Sequence, residues 1–443
     1  MPRMTYLEAL ALLQRESRPG MVLGLERIRA LCTALGEPQR GRLGVLVAGT
    51  NGKGSVCAMV DAMARAAGHR TVLLTKPHLS SYRERIRLDG VPVSTDRFAA
   101  LAAACLEAAE RVPDAVGRPT HHELLTAMGL LAAREADSQV LVCEVGLGGR
   151  LDATNVYDGG IAAITSVSLD HQAQLGPTPE AICREKAAII KEGNTLVAGV
   201  DPSLWPIVCE AAAPRNATVW ALGRELRVAD VEVDGEAGWG VRCHIRTPAR
   251  DLPRLRVALA GRFQAENAAV AVGVADALGA RGRTVDDAAV RAGLAAVRWP
   301  GRLDLQPGRP PILIDSGHNP GAIAAVLPSL ERFAAGRRTV MVFGAMADKD
   351  HPAMLAQLAR LPVAAAVFTA AASPRAARPD TVAAAWPKPC EVEAGVARAL
   401  ERARALAGPD GGVVVCGSVY VAGEALSALG AGPAPDPVAA TTP

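Results

Sequence analysis

The chain has 443 residues, half of them hydrophobic and 21% charged, with a formal net charge of +3. A single core rarely keeps growing beyond roughly 250–300 residues, so this length predicts more than one domain. So small a charge, with no dense run of lysine and arginine, argues against a nucleic-acid binder. The nine cysteines are scattered without a C-x-x-C pair, which argues against a disulfide framework or a zinc site and points to the reducing cytoplasm. The N-terminus lacks the pattern of a secretory signal, and no apolar run reaches the ~18 residues of a membrane span.

In chain order, residues 5–36 read as helix, ended by Leu35-Gly36 with Pro38 beyond. Residues 43–48 are a short apolar run that enters Gly49-Thr50-Asn51-Gly52-Lys53-Gly54-Ser55, and 56–63 continue as a buried helix. Residues 71–74, 140–143 and 161–164 are further short apolar strands with helices between. Strands alternating with helices predict a mostly parallel sheet covered on both faces. Residues 227–235 and 240–245 alternate apolar and polar, an antiparallel excursion, and a helix follows at about 266–278. A hinge is expected near Arg298-Trp299-Pro300-Gly301-Arg302, after which strands recur at 312–314, 339–343, 364–368 and 413–416. The expected fold is α/β: a P-loop parallel-sheet ATPase domain at 1–297, then a smaller Rossmann-like α/β domain at 298–430. The Ala/Pro-rich stretch 431–443 is expected to be disordered.

The loop from Gly49 to Ser55 follows a strand and opens a helix, the context that a phosphate-cradling loop requires. Backbone N–H groups and a helix N-terminus attract phosphate oxygens. Lys53 is placed to reach the outer phosphates and Ser55 to offer a hydroxyl near a metal. Gly54 stands between lysine and serine, unlike the usual G-x-x-x-x-G-K-[ST]. A plain glycine-rich turn is the alternative, and the agreement of strand, loop and helix argues against it. Nucleotide chemistry also needs Mg²⁺ held by oxygen-rich ligands. Glu144 ends an apolar strand and points to the same sheet edge, and Asp170-His171 follows another strand.

With these residues assembled, the chain resembles the folylpolyglutamate synthase/dihydrofolate synthase branch of the Mur ligase family. The resemblance spans about residues 20–425 and rests on blocks in one order. They are Leu23-Gly24-Leu25-Glu26-Arg27-Ile28, the Gly49–Ser55 loop, Pro77-His78-Leu79 with Arg83-Glu84-Arg85-Ile86, and Glu144-Val145-Gly146-Leu147-Gly148-Gly149-Arg150-Leu151-Asp152-Ala153-Thr154-Asn155. Asp170-His171, Arg184-Glu185-Lys186-Ala187, Trp299-Pro300-Gly301-Arg302-Leu303, Asp315-Ser316-Gly317-His318-Asn319-Pro320, Asp348-Lys349-Asp350 and Gly417-Ser418-Val419-Tyr420 complete it.

The resemblance implies that ATP phosphorylates a substrate carboxylate and that the amine of an amino acid, glutamate above all, displaces phosphate to give an amide. It implies catalytic roles for Lys53, Lys186 and His318, with Lys186 carbamylated. It gives nucleotide contacts to Gly49, Thr50, Asn51, Gly52, Lys53, Gly54, Ser55, Asn267, Arg302 and Asp315. It gives Mg²⁺ to Ser55, Glu144, His171 and Lys186. Lys76, His78, His121, His122, Asp152 and Arg375 are the expected substrate-side residues. A cytoplasmic monomer acting on small molecules, with no nucleic-acid or membrane partner, is expected.

Four departures from the family pattern stand out, and the first two loosen the substrate. Where the family reads T-S-P-H-L with a metal-binding serine, this chain has Thr75-Lys76-Pro77-His78-Leu79, and an ammonium has no acceptor for a metal. Two readings of Lys76 stand: its charge replaces a metal ion, or it points to solvent. The family's F-F-E is His121-His122-Glu123, a wall expected to be polar and to titrate near neutral pH. The usual D-G-A-H-N-P is Asp315-Ser316-Gly317-His318-Asn319-Pro320, and H-Q-x-x-N is Phe263-Gln264-Ala265-Glu266-Asn267. Three functions follow: a ligase adding glutamate to dihydropteroate or tetrahydrofolate, a paralogue ligating another carboxylic acid, and a non-catalytic ATP-binding protein.

Overall fold

The computed structural model describes residues 4–16, 23–234, 240–432 and 435–436. The first sheet has eight strands: β1 (Gly44–Ala48), β2 (Thr71–Leu74), β3 (Ile86–Leu88), β4 (Val91–Pro92), β5 (Val140–Glu144), β6 (Gly160–Ile164), β7 (Thr195–Ala198) and β8 (Thr218–Ala221). Their order is β4-β3-β2-β5-β1-β6-β7-β8, parallel from β2 to β8 with β3 and β4 as an antiparallel edge. The central strands β1 and β5 are apolar up to Glu144 at the end of β5 because both faces are covered. Alternate residues point to opposite faces. Leu46, Leu141, Cys143 and Ile164 pack on one side with the helices Thr95–Ala109 and His121–Glu135. Val45, Val47, Val142 and Ala163 pack on the other with the helices Lys53–Ala66 and Gln264–Gly279.

The excursion at 225–260 is a second sheet, β9 (Arg227–Asp234), β10 (Gly240–Arg246) and β11 (Asp251–Val257), antiparallel throughout. Its third strand escapes the sequence pattern because Pro253 and three charged residues interrupt it. The third sheet holds β12 (Asp304–Gln306), β13 (Ile312–Ile314), β14 (Thr339–Phe343), β15 (Val363–Phe368), β16 (Cys390–Val392) and β17 (Gly412–Cys416). It runs β12-β13-β17-β14-β15-β16, parallel except for the edge strand β12, between two further apolar layers.

The single helix expected at 5–36 is two, Tyr6–Arg15 and Glu26–Ala34. Among the described residues between them, Gly24 stands at φ +140°, a backbone no helix continues through. Most of the tail expected to be disordered lies outside the described residues, as does Gly235. Asp436 is described, and its carboxylate accepts from the Tyr6 hydroxyl (2.7 Å), the Ser81 hydroxyl (2.8 Å) and the Tyr82 N–H (2.7 Å).

Candidate active site

The glycine-rich loop leaves β1 where Val47 pairs with Glu144 of β5 and Ala48 with Ile164 of β6. The chain runs from β1 past β5 to β2, so β1 sits at the crevice where open α/β sheets bind ligands. The glycines are demanded by close approach. Gly49 has φ +149°, and a Cβ there would lie 1.8 Å from Thr165 Oγ1. Gly52, at φ +86°, caps the helix Lys53–Ala66, and its Cβ would lie 2.4 Å from Asn267 Oδ1. Lys53 Nζ donates to the carbonyls of Gly49 and Thr50, both at 3.0 Å. Burial pushes its pKa down, against the pull of Glu144 and Asp170.

Lys186, 3% exposed on the helix Pro179–Ala187, donates to the same Gly49 carbonyl at 2.9 Å. Burial and then the neighbouring Lys53 bring its pKa down to about 7. Glu144 accepts the N–H of Lys76 at 3.1 Å. Burial pushes its carboxyl pKa up, while Lys53, that N–H and Arg302 oppose the rise.

Beyond Glu144 the cleft wall carries Lys76, His122 and Asp152. Lys76 keeps 12% of its side chain exposed and turns it into the cleft rather than out to bulk solvent, against the solvent-facing reading. Its Nζ lies 3.3 Å from Thr126 Oγ1, 3.3 Å from His122 Nε2 and 3.8 Å from Asp152 Oδ1. Burial works against the Asp152 carboxylate, but Lys76 and His122 outweigh it and hold its pKa well below the usual range. His121 stacks edge-on against Tyr82 at 5.5 Å, and burial, Arg85 and His122 lower its pKa to about 4. The expectation that both imidazoles titrate near neutral pH therefore fails at His121, which is neutral there. His78 accepts from Arg85 Nε at 2.8 Å and stacks on Tyr82 at 4.3 Å, and burial lowers its pKa too.

The opposite wall joins the two larger sheets. Lys349 Nζ donates to Asp170 Oδ1 at 2.8 Å and lies 3.3 Å from His171 Nε2. Asn319 Nδ2 donates to Asp170 Oδ2 (2.9 Å) and to Asn51 Oδ1 (3.1 Å), and Asn51 Nδ2 donates back to Asn319 Oδ1 (3.2 Å). Burial disfavours the Asp170 carboxylate, yet its hydrogen bond and charge contact with Lys349 take the pKa down to about 2. His171 holds a left-handed backbone, φ +50°. Its pKa is lowered by burial despite Asp170. His318 lies 3.0 Å from the Ser316 carbonyl, with burial lowering its pKa to about 4.

These walls enclose one cleft of about 910 Å³, lined by Gly49–Gly54, Lys76, His121, His122, Glu144, Asp152, His171, Lys186, Arg302, His318, Lys349 and Arg375, among others. Four expected site residues are not in its lining. Ser55 accepts from Gln264 Nε2 at 3.3 Å, and Asn267 donates to Gln264 Oε1 at 2.9 Å. Asp315 accepts from the N–H groups of Leu303 and Gly317 at 2.9 and 2.7 Å, and His78 is held by Arg85 and Tyr82 as above.

The sequence matches two family models, the Mur ligase middle domain over residues 47–275 and the Mur ligase glutamate ligase domain over 301–419. The chain belongs to the Mur ligase family. Among its relatives, a probable bifunctional folylpolyglutamate synthase/dihydropteroate synthase of Haloferax volcanii is 37% identical over 95% of this chain and 50% of its own. The chain thus spans about half the length of that relative. A dihydrofolate synthase/folylpolyglutamate synthase of Mycobacterium tuberculosis is 35% identical over 92% of this chain and 90% of its own. A Mycobacterium tuberculosis folylpolyglutamate synthase solved with ADP and AMPPCP superposes with a TM-score of 0.88 at 33% identity, covering 97% of this chain and 99% of that one. These relatives place the chain in the folylpolyglutamate synthase/dihydrofolate synthase branch of the Mur ligases.

Within this Mur ligase, sequence reasoning missed Lys349, Thr126 and the bridging role of Asn319. Lys349 and Asp170 lie 179 residues apart in the chain, so no local pattern joins them. The only sequence signal was the position of Lys349 inside Asp348-Lys349-Asp350.

Proposed function

We propose that the chain is an ATP-dependent ligase that joins glutamate by an amide bond to a folate-type acid, dihydropteroate or tetrahydrofolate. One observation carries this reading. The phosphate loop and Lys186 share a single cleft with Arg302, His318, Lys349 and Arg375 from the other side, and the names of the relatives agree with it. In this reading the chain divides at 297/298, and it works in the cytoplasm as a monomer on small molecules. No helix of the described residues is long and apolar enough to cross a membrane.

The loop N–H groups, Lys53 and Arg302 hold the ATP phosphates and stabilise the charge that develops on the transferred group. An oxygen of the acid's carboxylate attacks the γ-phosphorus, and ADP leaves. The glutamate amine then attacks the acyl carbon, phosphate departs, and the nitrogen gives up a proton. The cleft keeps water from the acyl phosphate. His318, its pKa lowered to about 4 by burial, is neutral and able to accept a hydrogen bond in the cleft. Arg375, paired with Asp348 at 3.1 Å and lining the cleft, is the cation proposed to meet the carboxylates of glutamate.

Mg²⁺, when bound, neutralises phosphate charge. No group of three or more His, Cys, Asp or Glu side chains converges among the described residues. Mg²⁺ keeps its waters and substrate phosphates and takes one or two protein carboxylates. Glu144 is the carboxylate at hand, with His171 and a carbamylated Lys186 as the further cleft residues proposed to hold it; Ser55, outside the cleft lining with its oxygen accepting from Gln264, is the expected metal residue least suited to reach it. With a pKa of about 7, Lys186 has a neutral fraction able to attack CO₂, forming an N–C bond and releasing a proton.

The polar wall at Lys76, His121 and His122 favours a second reading, the same ligation on a different carboxylic acid. Phosphate release with ATP, Mg²⁺ and glutamate across a panel of acids decides between them. Release with dihydropteroate or tetrahydrofolate is expected; release only with another acid would leave the second reading.

A further inference from the structure

Asp152 has no acceptor site to spare. Its Oδ1 accepts from Thr154 N at 3.0 Å and Thr154 Oγ1 at 2.6 Å. Its Oδ2 accepts from Leu147 N at 3.0 Å and lies 3.2 Å from His122 Nε2. An ionised carboxylate offers about four such sites, so a ligand donor would have to displace a partner from its own loop.

Lys76 is in the opposite position. An ammonium carries three donors and no acceptor. Asp152 Oδ1, at 3.8 Å, is too far to take a hydrogen bond. Thr126 Oγ1 is a true acceptor, since its own proton goes to the His122 carbonyl at 2.9 Å. The other neighbour, His122 Nε2, is contested. If it carries a proton it bonds Asp152 and opposes Lys76; if it carries a lone pair it bonds Lys76 and opposes Asp152. One contact is therefore always unfavourable, and Lys76, part-buried in the cleft lining, has Thr126 as its one sure acceptor among these neighbours and turns its remaining donor capacity toward the cavity. Close by, His121 Nε2 is buried without a hydrogen-bond partner and its side chain lines the same cleft. An acceptor oxygen arriving from the cavity satisfies Lys76 and frees His122 to donate to Asp152.

We propose that Lys76 is a specificity-determining residue: its ammonium reads an oxo or carboxylate oxygen on the acid substrate, remote from the carboxylate that is activated. Asp152 acts as a positioning residue for Lys76 and His122. This inference rests on the ligase reading above and specifies the acid as one bearing a remote acceptor oxygen, as the oxo group of a pterin ring does.

The test compares binding and kcat/KM of the full chain for dihydropteroate and for its 4-amino counterpart, in which the ring oxo acceptor becomes an amino donor. The wild type is expected to favour the oxo acid by about 10- to 100-fold. Lys76→Met should lose that preference with the KM for ATP unchanged, and Lys76→Arg should retain it. If Lys76→Met fails to fold, Thr126→Val, which removes the hydroxyl aiming Nζ, should weaken the preference instead. An undiminished preference in a folded, ATP-binding Lys76→Met overturns the proposal. If the wild type binds neither pteroate, the folate reading falls, and the acid that does release phosphate decides for Lys76. Lys76→Met must raise KM for that acid by at least about tenfold; an unchanged KM overturns the assignment.

Discussion

Lys186 is an amine whose pKa, near 7, is set by burial and by Lys53 beside it. A base whose folded pKa is depressed loses its proton as pH rises through that value, so the nucleophilic form dominates above about pH 7 and is lost below it. Enzyme stripped of CO₂ is expected to be activated by bicarbonate at about pH 8 and hardly at all at about pH 6. Lys186→Met should lower kcat by about 10²-fold or more and abolish the response. Steady-state rates against bicarbonate at the two pH values check this, and an equal response in the variant contradicts it. That Lys53, Glu144 and Lys186 come together in one cleft was legible because each stands in a dense local motif. The neutrality of His121 was not, because burial between Tyr82 and Arg85 comes from the fold.

At the scale of elements, the apolar runs at 140–143 and 312–314 announced β5 and β13 because a strand covered on both faces needs continuous apolar residues. The edge strands β3 and β4 are short and carry Arg87 and Pro92, and no such run marks them. The turn from β1 into the helix Lys53–Ala66 depends on Gly49, where both the positive φ and the approach of Thr165 exclude a side chain. Gly49→Ala is expected to destabilise the protein by on the order of 2–3 kcal/mol, through backbone strain and displacement of Thr165. Urea unfolding measures it, with nucleotide affinity falling in parallel; a variant unfolding at the wild-type midpoint with unchanged nucleotide affinity would sink this account of the loop.

Over the whole molecule, the first and third sheets meet through Asn51, Asn319, Asp170 and Lys349. The turn residues Trp299-Pro300-Gly301 stand just before the third sheet, which begins at Asp304, but the bridge was invisible because its members are distant in sequence. Asn319→Ala should raise KM for ATP and lower kcat by about tenfold or more, because it removes hydrogen bonds across the cleft, and should cost about 1 kcal/mol of stability, because Asn319 also caps the helix Pro320–Ala334 by accepting from Ala322 N at 2.8 Å. Kinetics beside a melting curve separate the two effects. Asp170, with a folded pKa of about 2, contributes its stabilisation above the ordinary carboxylate pKa and loses it only as pH falls toward 2. The bridge is therefore expected to hold unchanged from about pH 5 to about pH 9.

The central claim is that one cleft activates an acid as an acyl phosphate before glutamate attacks. Trapping with hydroxylamine tests it most directly. With ATP, Mg²⁺ and dihydropteroate but no glutamate, the enzyme should yield the pteroyl hydroxamate and ADP in equal amounts, and Lys53→Met should yield neither. ADP formed without hydroxamate, or no ADP with any carboxylic acid while ATP still binds, would contradict the account.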